Sequence, residues 1–373
     1  MARWPRLSGS RPRFPSTTSS TSSPRCSRRP SMATRTPRLN NDSLERSENM
    51  LTRRAFGAFA LALVALLPLA AQAQEGAFPV TLEHVYGKTV IEKKPERIVT
   101  IGWTTQDAVL ALGEVPVAIP EQKWGGNANG VLPWTADAIA ASGKAAPRII
   151  NFDTEVPYED VLAVAPDLIL APYSGITQEQ YDRLSAIAPT VAYADKPWAG
   201  SWQEITRVAG RALGKPAQAE TLIASIDERL AAAAAAHPEF AGKSFTFGAL
   251  WVGGAGMNVY STADPRVVMV TQLGLKPSPG VAALPTDSYY TTVSYEQLDT
   301  LDADVLISLD EGDEASDALY ANELVQRFKP VAEGRMLRLK DKSFVMATSA
   351  PSPLSIPWML DRFVPELAAV MQK

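Results

Sequence analysis

Residues able to do covalent or metal chemistry are scarce in this chain. In 373 residues there are two histidines, His84 and His237, and one cysteine, Cys26. A Cys-rich zinc or iron–sulfur centre is thereby excluded, and a histidine-ligated metal or haem has little to be built from. No Gly-x-Ser-x-Gly elbow, His-Glu-x-x-His helix or phosphate loop is present. A Ser-His-Asp triad would have to use His84, near the start of the 300-residue remainder, or His237, in a helix-ending His-Pro, and neither lies at a strand end facing a cleft. What the chain does place at the ends of β-branched runs is aromatic. Trp103 and Thr104 follow Gly102, Tyr173 and Ser174 follow Pro172, and Trp251 and Tyr260 bound the stretch around Gly253-Gly-Ala-Gly256. Trp124 and Trp198 lie on neighbouring loops. Aromatic rings with polar tips suit a large, flat-faced and partly apolar ligand. Trp202 and Trp358, on predicted helices, read instead as core.

The elements that position these residues alternate between strand and helix. Arg97-Ile-Val-Thr-Ile-Gly102 is a strand that leads into a helix over 107–112 with Gly113 as its stop. Residues 115–119, 167–171 and 190–193 are further strands, with a helix over 178–187 between the last two. Ser201-Trp-Gln-Glu204 is a capping box opening a helix that Gly214 ends. Pro216 then starts a long helix running through the alanines at 231–236 to His237-Pro238. Alternation resumes with strands at 244–251, 257–260, 304–308 and 336–339, and helices at 267–273 and 357–371. The Gly253-Gly-Ala-Gly256 turn superficially suggests a nucleotide loop, but it leads into a strand pattern and reads as a hairpin. This order predicts an α/β fold of two Rossmann-like lobes with parallel sheets, joined by a single long helical linker. The lobes span 74–200 and 242–373, with the connecting helical segment at 201–241.

The first 73 residues stand apart. Residues 1–49 carry ten Arg against three acids and almost no apolar periodicity. They read either as a disordered basic arm or as a mis-called upstream extension before a start at Met50. Residues 50–73 read as a signal peptide: Arg53 and Arg54, 17 uncharged residues at 55–71, then Ala71-Gln72-Ala73. The arginine pair resembles a twin-arginine signal, and an ordinary secretory signal is the alternative. With no cysteine at the cleavage point, lipid anchoring there is excluded. The remaining 300 residues carry a net charge of −13, which disfavours nucleic acid as a partner.

One internal comparison supports two related lobes. Residues 156–171 align without gaps on 293–308, with Val, Tyr, Glu and Asp recurring at matching places. Each copy is a short helix with an early glutamate, Glu159 or Glu296, leading through Asp167 or Asp304 into a buried strand.

Taken together, the chain resembles the substrate-binding proteins of iron–siderophore ABC importers, the ferric siderophore- and cobalamin-binding class III of periplasmic binding proteins. The resemblance covers about residues 78–371. It rests on Pro95-Glu-Arg-Ile-Val-Thr-Ile-Gly102, Asp107-Ala-Val-Leu-Ala-Leu-Gly113, Tyr158-Glu-Asp-Val-Leu-Ala-Val-Ala-Pro-Asp-Leu-Ile169, Tyr181-Asp-Arg-Leu-Ser-Ala-Ile-Ala-Pro-Thr190, Tyr320-Ala-Asn-Glu-Leu324 and Val331-Ala-Glu-Gly-Arg-Met336. It implies a ferric siderophore held between the lobes, iron carried by the chelate with no resident cofactor, delivery to an inner-membrane permease, a periplasmic location and a monomer. Glu159 and Glu296 match the glutamates with which related proteins dock on their permease. The helical linker implies only a modest lobe closure.

Ligands of open α/β lobes bind beyond the carboxyl ends of the strands. That rule assigns Trp103, Thr104, Trp124, Tyr173, Ser174, Trp198, Trp251 and Tyr260 to the ligand surface, with Arg266, Lys340 and Lys342 as candidate cations. Catecholate binders of this class often carry arginine where this chain reads Ser343-Phe-Val-Met-Ala-Thr348. Phe344 takes that position here, which favours a hydroxamate or mixed chelate. Cobalamin or haem in the same fold, and an exported enzyme, are the rival readings.

Overall fold

The computed structural model describes residues 76–153 and 155–373; the expected basic arm and signal peptide lie outside them. The first lobe opens with an antiparallel hairpin, β1 (Val80–His84) and β2 (Gly87–Ile91), which the sequence reading missed. Its sheet follows: β3 (Ile98–Gly102), β4 (Ala118–Pro120), β5 (Arg148–Ile150), β6 (Leu168–Tyr173) and β7 (Thr190–Val191). The spatial order is β5-β4-β3-β6-β7, every pair parallel. The connecting helices are α1 (Thr105–Ala111), α2 (Pro133–Ser142), α3 (Tyr158–Ala163) and α4 (Gln178–Ser185). Ile98, Val99, Leu168, Ile169 and Leu170 are buried, the unbroken apolar run of a strand covered on both faces.

Two helices follow. In α5 (Trp202–Ala212) the Ser201 hydroxyl accepts from the Glu204 N–H, and the Glu204 carboxylate accepts from the Ser201 N–H, so the expected capping box is formed. The 21-residue α6 (Pro216–Ala236) begins at the proline and ends before His237. Its buried positions, Ala219, Ile223, Ile226 and Leu230, form one helical stripe. Ala219 belongs to the first-lobe core with Ile205 and Ala209 of α5, whereas Ile223, Ile226 and Leu230 belong to the second-lobe core. The long helix therefore hands the chain from one core to the other.

The second lobe contains β8 (Ser244–Leu250), β9 (Gly256–Tyr260), α7 (Pro265–Gln272), β10 (Lys276–Pro277), α8 (Pro279–Ala282), β11 (Tyr290–Ser294), β12 (Val305–Leu309), α9 (Glu314–Tyr320), α10 (Lys329–Ala332), β13 (Met336–Leu339), α11 (Lys342–Ser349) and α12 (Ser355–Met371). Its sheet order is β11-β9-β8-β12-β13, with β10 beside the start of β8. Alternation led to an expectation of parallel sheets, but this sheet is mixed. The Gly-rich hairpin makes β9 antiparallel to β8, and β11 adds antiparallel outside it.

Residues 125–134 of the first lobe also sit directly on the second. Leu132 and Trp134 are buried with Phe344 and Met346 of α11 and Met359 of α12. The Trp134 and Trp358 ring centroids are 5.2 Å apart, and the Ser343 hydroxyl donates to the Gly125 carbonyl at 2.7 Å. The lobes thus touch in a second place besides the helix.

Candidate ligand cleft

The two sheets are framed by the same device, and it is the one the internal comparison located. Asp167 accepts from the Glu96 and Arg97 N–H groups at 2.9 and 2.8 Å, fixing the start of β3 against β6. Asp304 accepts from the Ser244 N–H at 2.8 Å, fixing the start of β8 against β12. The preceding short helix is α-helical over Tyr158–Ala163 and a 3-10 turn over Tyr295–Leu301. Glu159 and Glu296 are both exposed, one on each lobe. The Glu296 carboxyl is held below its usual range by its own backbone N–H and by the Ser294 hydroxyl.

At the far end of β3, Gly102 has φ +103°, and a Cβ there would lie 2.0 Å from the Tyr173 carbonyl oxygen. Only glycine permits this strand-end approach. The Trp103 N–H then donates to the same carbonyl at 3.4 Å. Trp198, with φ +60°, donates its N–H to Ser174 at 3.3 Å. Its ring stands 5.8 Å edge-on from Tyr173 and 5.6 Å from Trp103. The indole Nε1 lies against Gly175, where a Cβ would come within 2.6 Å of it. Three aromatics predicted from strand ends and a loop are therefore one wall, and Trp198 keeps 43% of its surface exposed.

The second lobe contributes charge to the same region. Asp264 caps α7 by accepting from the Arg266 N–H at 2.9 Å, and its other oxygen accepts from Arg266 Nη1 at 2.8 Å. The guanidinium lies 4.2 Å over the Tyr260 ring. Burial pushes the Asp264 carboxyl up against the pull of Arg266. Burial also opposes the Arg266 charge, but Tyr260, Asp264 and Tyr173 outweigh it and its pKa rises. Tyr173 lies across the lobe boundary from this pair: burial raises its phenol to about 12, with Arg266 drawing it down. Arg266 Nε, Ser261 Oγ and Thr104 Oγ1 are buried with no hydrogen-bond partner. Trp103 packs against both lobes' cores.

A cavity of about 90 Å³ lies beside this cluster, lined by Ala199 and the start of α5 on one side and by Ala263, Pro265, Val268, Met269 and Gln272 of the second lobe on the other. Pockets for drug-sized ligands run from about 300 to 1,000 Å³. The cavity beside Asp264 is smaller than that.

Other expected positions fall elsewhere. Phe344 has 0% exposure on α11, 6.4 Å from both Trp358 and Phe363, with Arg362 stacked 4.2 Å over it. It is a core residue of the second lobe, a correction to its assignment to the ligand surface. Ser174 is buried and spends its hydroxyl on the Ala171 carbonyl at 2.8 Å. Trp251 packs on the second-lobe core, and Trp124 is exposed beside the Gly125 contact. Lys340 is exposed and pairs with Asp317 at 3.6 Å. His84 is hydrogen-bonded to Thr89 at 2.9 Å, and His237 stacks on Phe240 and pairs with Glu239. Among the described residues no cluster of three His, Cys, Asp or Glu side chains is placed to hold a metal ion.

Asp107 is a lobe-joining residue that sequence reasoning missed. It is fully buried on α1, and three side chains donate to its carboxylate at 2.7 Å: Trp134 Nε1 and Thr135 Oγ1 from α2, and Ser352 Oγ from the second lobe. Burial raises it to about 6, with Ser352, Thr135, Trp134 and Gln106 pulling the other way. In the sequence it looks like an ordinary first-turn acid, favoured by the helix dipole.

The family model described as periplasmic binding protein matches residues 98–343. Among solved structures, PiaA of Streptococcus pneumoniae TIGR4 in complex with ferrichrome is 32% identical, with a TM-score of 0.71 over 79% of this chain and 99% of that one. The Fe(3+)-citrate-binding protein YfmC of Bacillus subtilis is 24% identical over 67% of this chain and 75% of that protein. The ferric enterobactin-binding periplasmic protein FepB of Escherichia coli is 31% identical over 45% of this chain, a match spanning about half (52%) of that relative. This chain belongs to the periplasmic binding protein family.

Proposed function

We propose that this protein is a solute-binding component of an ABC importer. It captures a ferric siderophore between its lobes, outside the cytoplasm, and delivers it to an inner-membrane permease. The observation that carries this reading is the aromatic wall of Trp103 and Tyr173, at the carboxyl ends of β3 and β6, with Trp198 beside them and Tyr260 and Arg266 of the second lobe close by. Rings of this kind cover the apolar faces of a chelate, and an arginine orients its oxygens. Thr104 adds an unpartnered hydroxyl, and Trp124 and Trp251 stand as rim candidates. Glu159 and Glu296 are the docking pair, exposed on the two lobes where permease arginines would meet them. The role is binding and transport, not catalysis. The protein acts as a monomer, without nucleic acid or a resident cofactor, because the iron travels inside its chelate. Export follows from the signal peptide at 50–73, by the twin-arginine or the general route, without a lipid anchor. No helix among the described residues is long and apolar enough to cross a membrane.

Tryptophan fluorescence tests the reading directly. Saturable quenching by an iron-loaded siderophore at submicromolar concentration, weak with the iron-free form, is expected. It should be lost in Trp103→Ala and reduced in the more exposed Trp198→Ala, both checked for folding by circular dichroism. A response to cobalamin or haem alone would keep the fold and overturn the cargo.

A further inference from the structure

The relatives' names point to chelates of different charge. Ferrichrome is a neutral ferric tris-hydroxamate, ferric enterobactin a trianionic tris-catecholate and ferric citrate an anionic carboxylate complex. Which of these a cleft accepts is set by the charges facing it.

Around the aromatic wall, the charged groups that Arg266, Tyr260, Tyr173 and Tyr289 sense are Arg266 and Asp264. Those two are buried together, at 2.8 Å, so the guanidinium arrives already neutralised. Of the other second-lobe candidates, Lys342 is exposed on the surface without an ion pair among the described residues, while the next cations are paired. Arg338 pairs with Asp310 and Asp317, and Lys340 with Asp317. A multiply charged anion seated on Arg266 would lie beside the buried Asp264 carboxylate, a like-charge contact that low local polarity strengthens. Beside the pair, three polar atoms, Arg266 Nε, Ser261 Oγ and Thr104 Oγ1, are buried and unpartnered. Amide oxygens, and the iron-bound oxygens of a hydroxamate complex whose charge the ferric ion balances, accept from such donors without bringing net charge.

We infer that the Asp264–Arg266 pair makes this cleft selective for ferric chelates of zero net charge, with Asp264 as the specificity-determining residue. The inference rests on the ferric-siderophore reading and sharpens it.

The test is a fluorescence titration of the purified protein and of Asp264→Asn with ferrichrome, ferric enterobactin and ferric citrate. Asparagine caps a helix as well as aspartate does, so the start of α7 survives the change. The native protein should bind ferrichrome at least roughly 100-fold more tightly than either anion. In Asp264→Asn the anions should gain roughly 10-fold or more, while ferrichrome changes by less than about threefold. If the variant fails to fold, the native protein still decides. Its ferrichrome affinity should stay constant between low and high sodium chloride, as neutral-ligand binding does. Ferric enterobactin bound as tightly as ferrichrome, or a steep salt dependence for ferrichrome, overturns the charge inference and leaves siderophore binding standing. No response to any of the three complexes overturns both.

Discussion

Replacing Asp107 with asparagine removes the one carboxylate that ties α1, α2 and the second lobe together, and the consequence should be read in how stability changes with pH. Asp107 has no cation against it; it is held by neutral donors from Trp134, Thr135 and Ser352. Burial outweighs those donors, so its folded pKa rises from 3.8 to about 6. A raised carboxyl favours the native state when protonated. That contribution is complete below the unfolded pKa near 4 and is lost as pH rises through 6. At ~1.4 kcal/mol per pKa unit the full swing is about 3 kcal/mol, of which about 2 kcal/mol falls between pH 4.5 and 7.5. Urea unfolding of the wild type and of Asp107→Asn across that interval isolates this group, because every other titration is common to both. The stability of the wild type relative to the variant should fall by about 2 kcal/mol from pH 4.5 to 7.5. That is roughly 0.7 M in midpoint at a slope of ~3 kcal/mol/M. Two stability curves that run parallel within about 0.5 kcal/mol would refute the assignment of a raised, protonatable Asp107.

Two further outcomes concern the backbone of the cleft and the outer face of the lobes. Gly102→Ala places a methyl 2.0 Å from the Tyr173 carbonyl at φ +103°, so the β3 and β6 ends must separate. A loss of more than about 3 kcal/mol in chemical denaturation, together with weaker chelate quenching, is expected; a neutral result would contradict the strand-end geometry. Exchanging Glu159 and Glu296 together for lysine should leave thermal stability and ligand affinity unchanged, since both side chains are exposed. It should abolish uptake of radioactive iron chelate in cells that depend on this protein, and unimpaired uptake would remove the docking assignment.

Much of the fold was legible because its signals are local. The Ser201–Glu204 capping box, the start of α6 at Pro216 and the hairpin around Gly253 each depend on residues a few places apart, and each formed as read. The internal comparison was legible for a deeper reason. Asp167 and Asp304 each do one fixed job, clamping the first N–H groups of the neighbouring strand, and that job preserves residue type and spacing in both copies. What escaped depends on contacts across the chain. Asp107 and Ser352 are 245 residues apart, and nothing in the Asp107 helix marks it as a lobe-joining residue rather than a first-turn acid. Phe344 failed for a related reason. Residues 344–349 of α11 are all buried, so the segment has no polar side from which a periodic pattern could reveal its orientation. Arg266 was visible as a cation, but Asp264 two residues earlier is an equally good helix cap, and only the folded geometry makes it a partner of the guanidinium as well.

The two attachments between the lobes bear on how such a cleft moves. A body joined to another at one flexible strand can swing widely, whereas one joined at two separated places rotates only about the line between them. Here one attachment is α6, whose buried stripe passes from the first core into the second without a break. The other is the apposition of 125–134 with α11 and α12, pinned by Ser343 on Gly125 and by Ser352 on Asp107. Neither attachment has to break if the lobes turn about the axis they define. The buried carboxylate at the second attachment gives that axis a fixed, dry anchor.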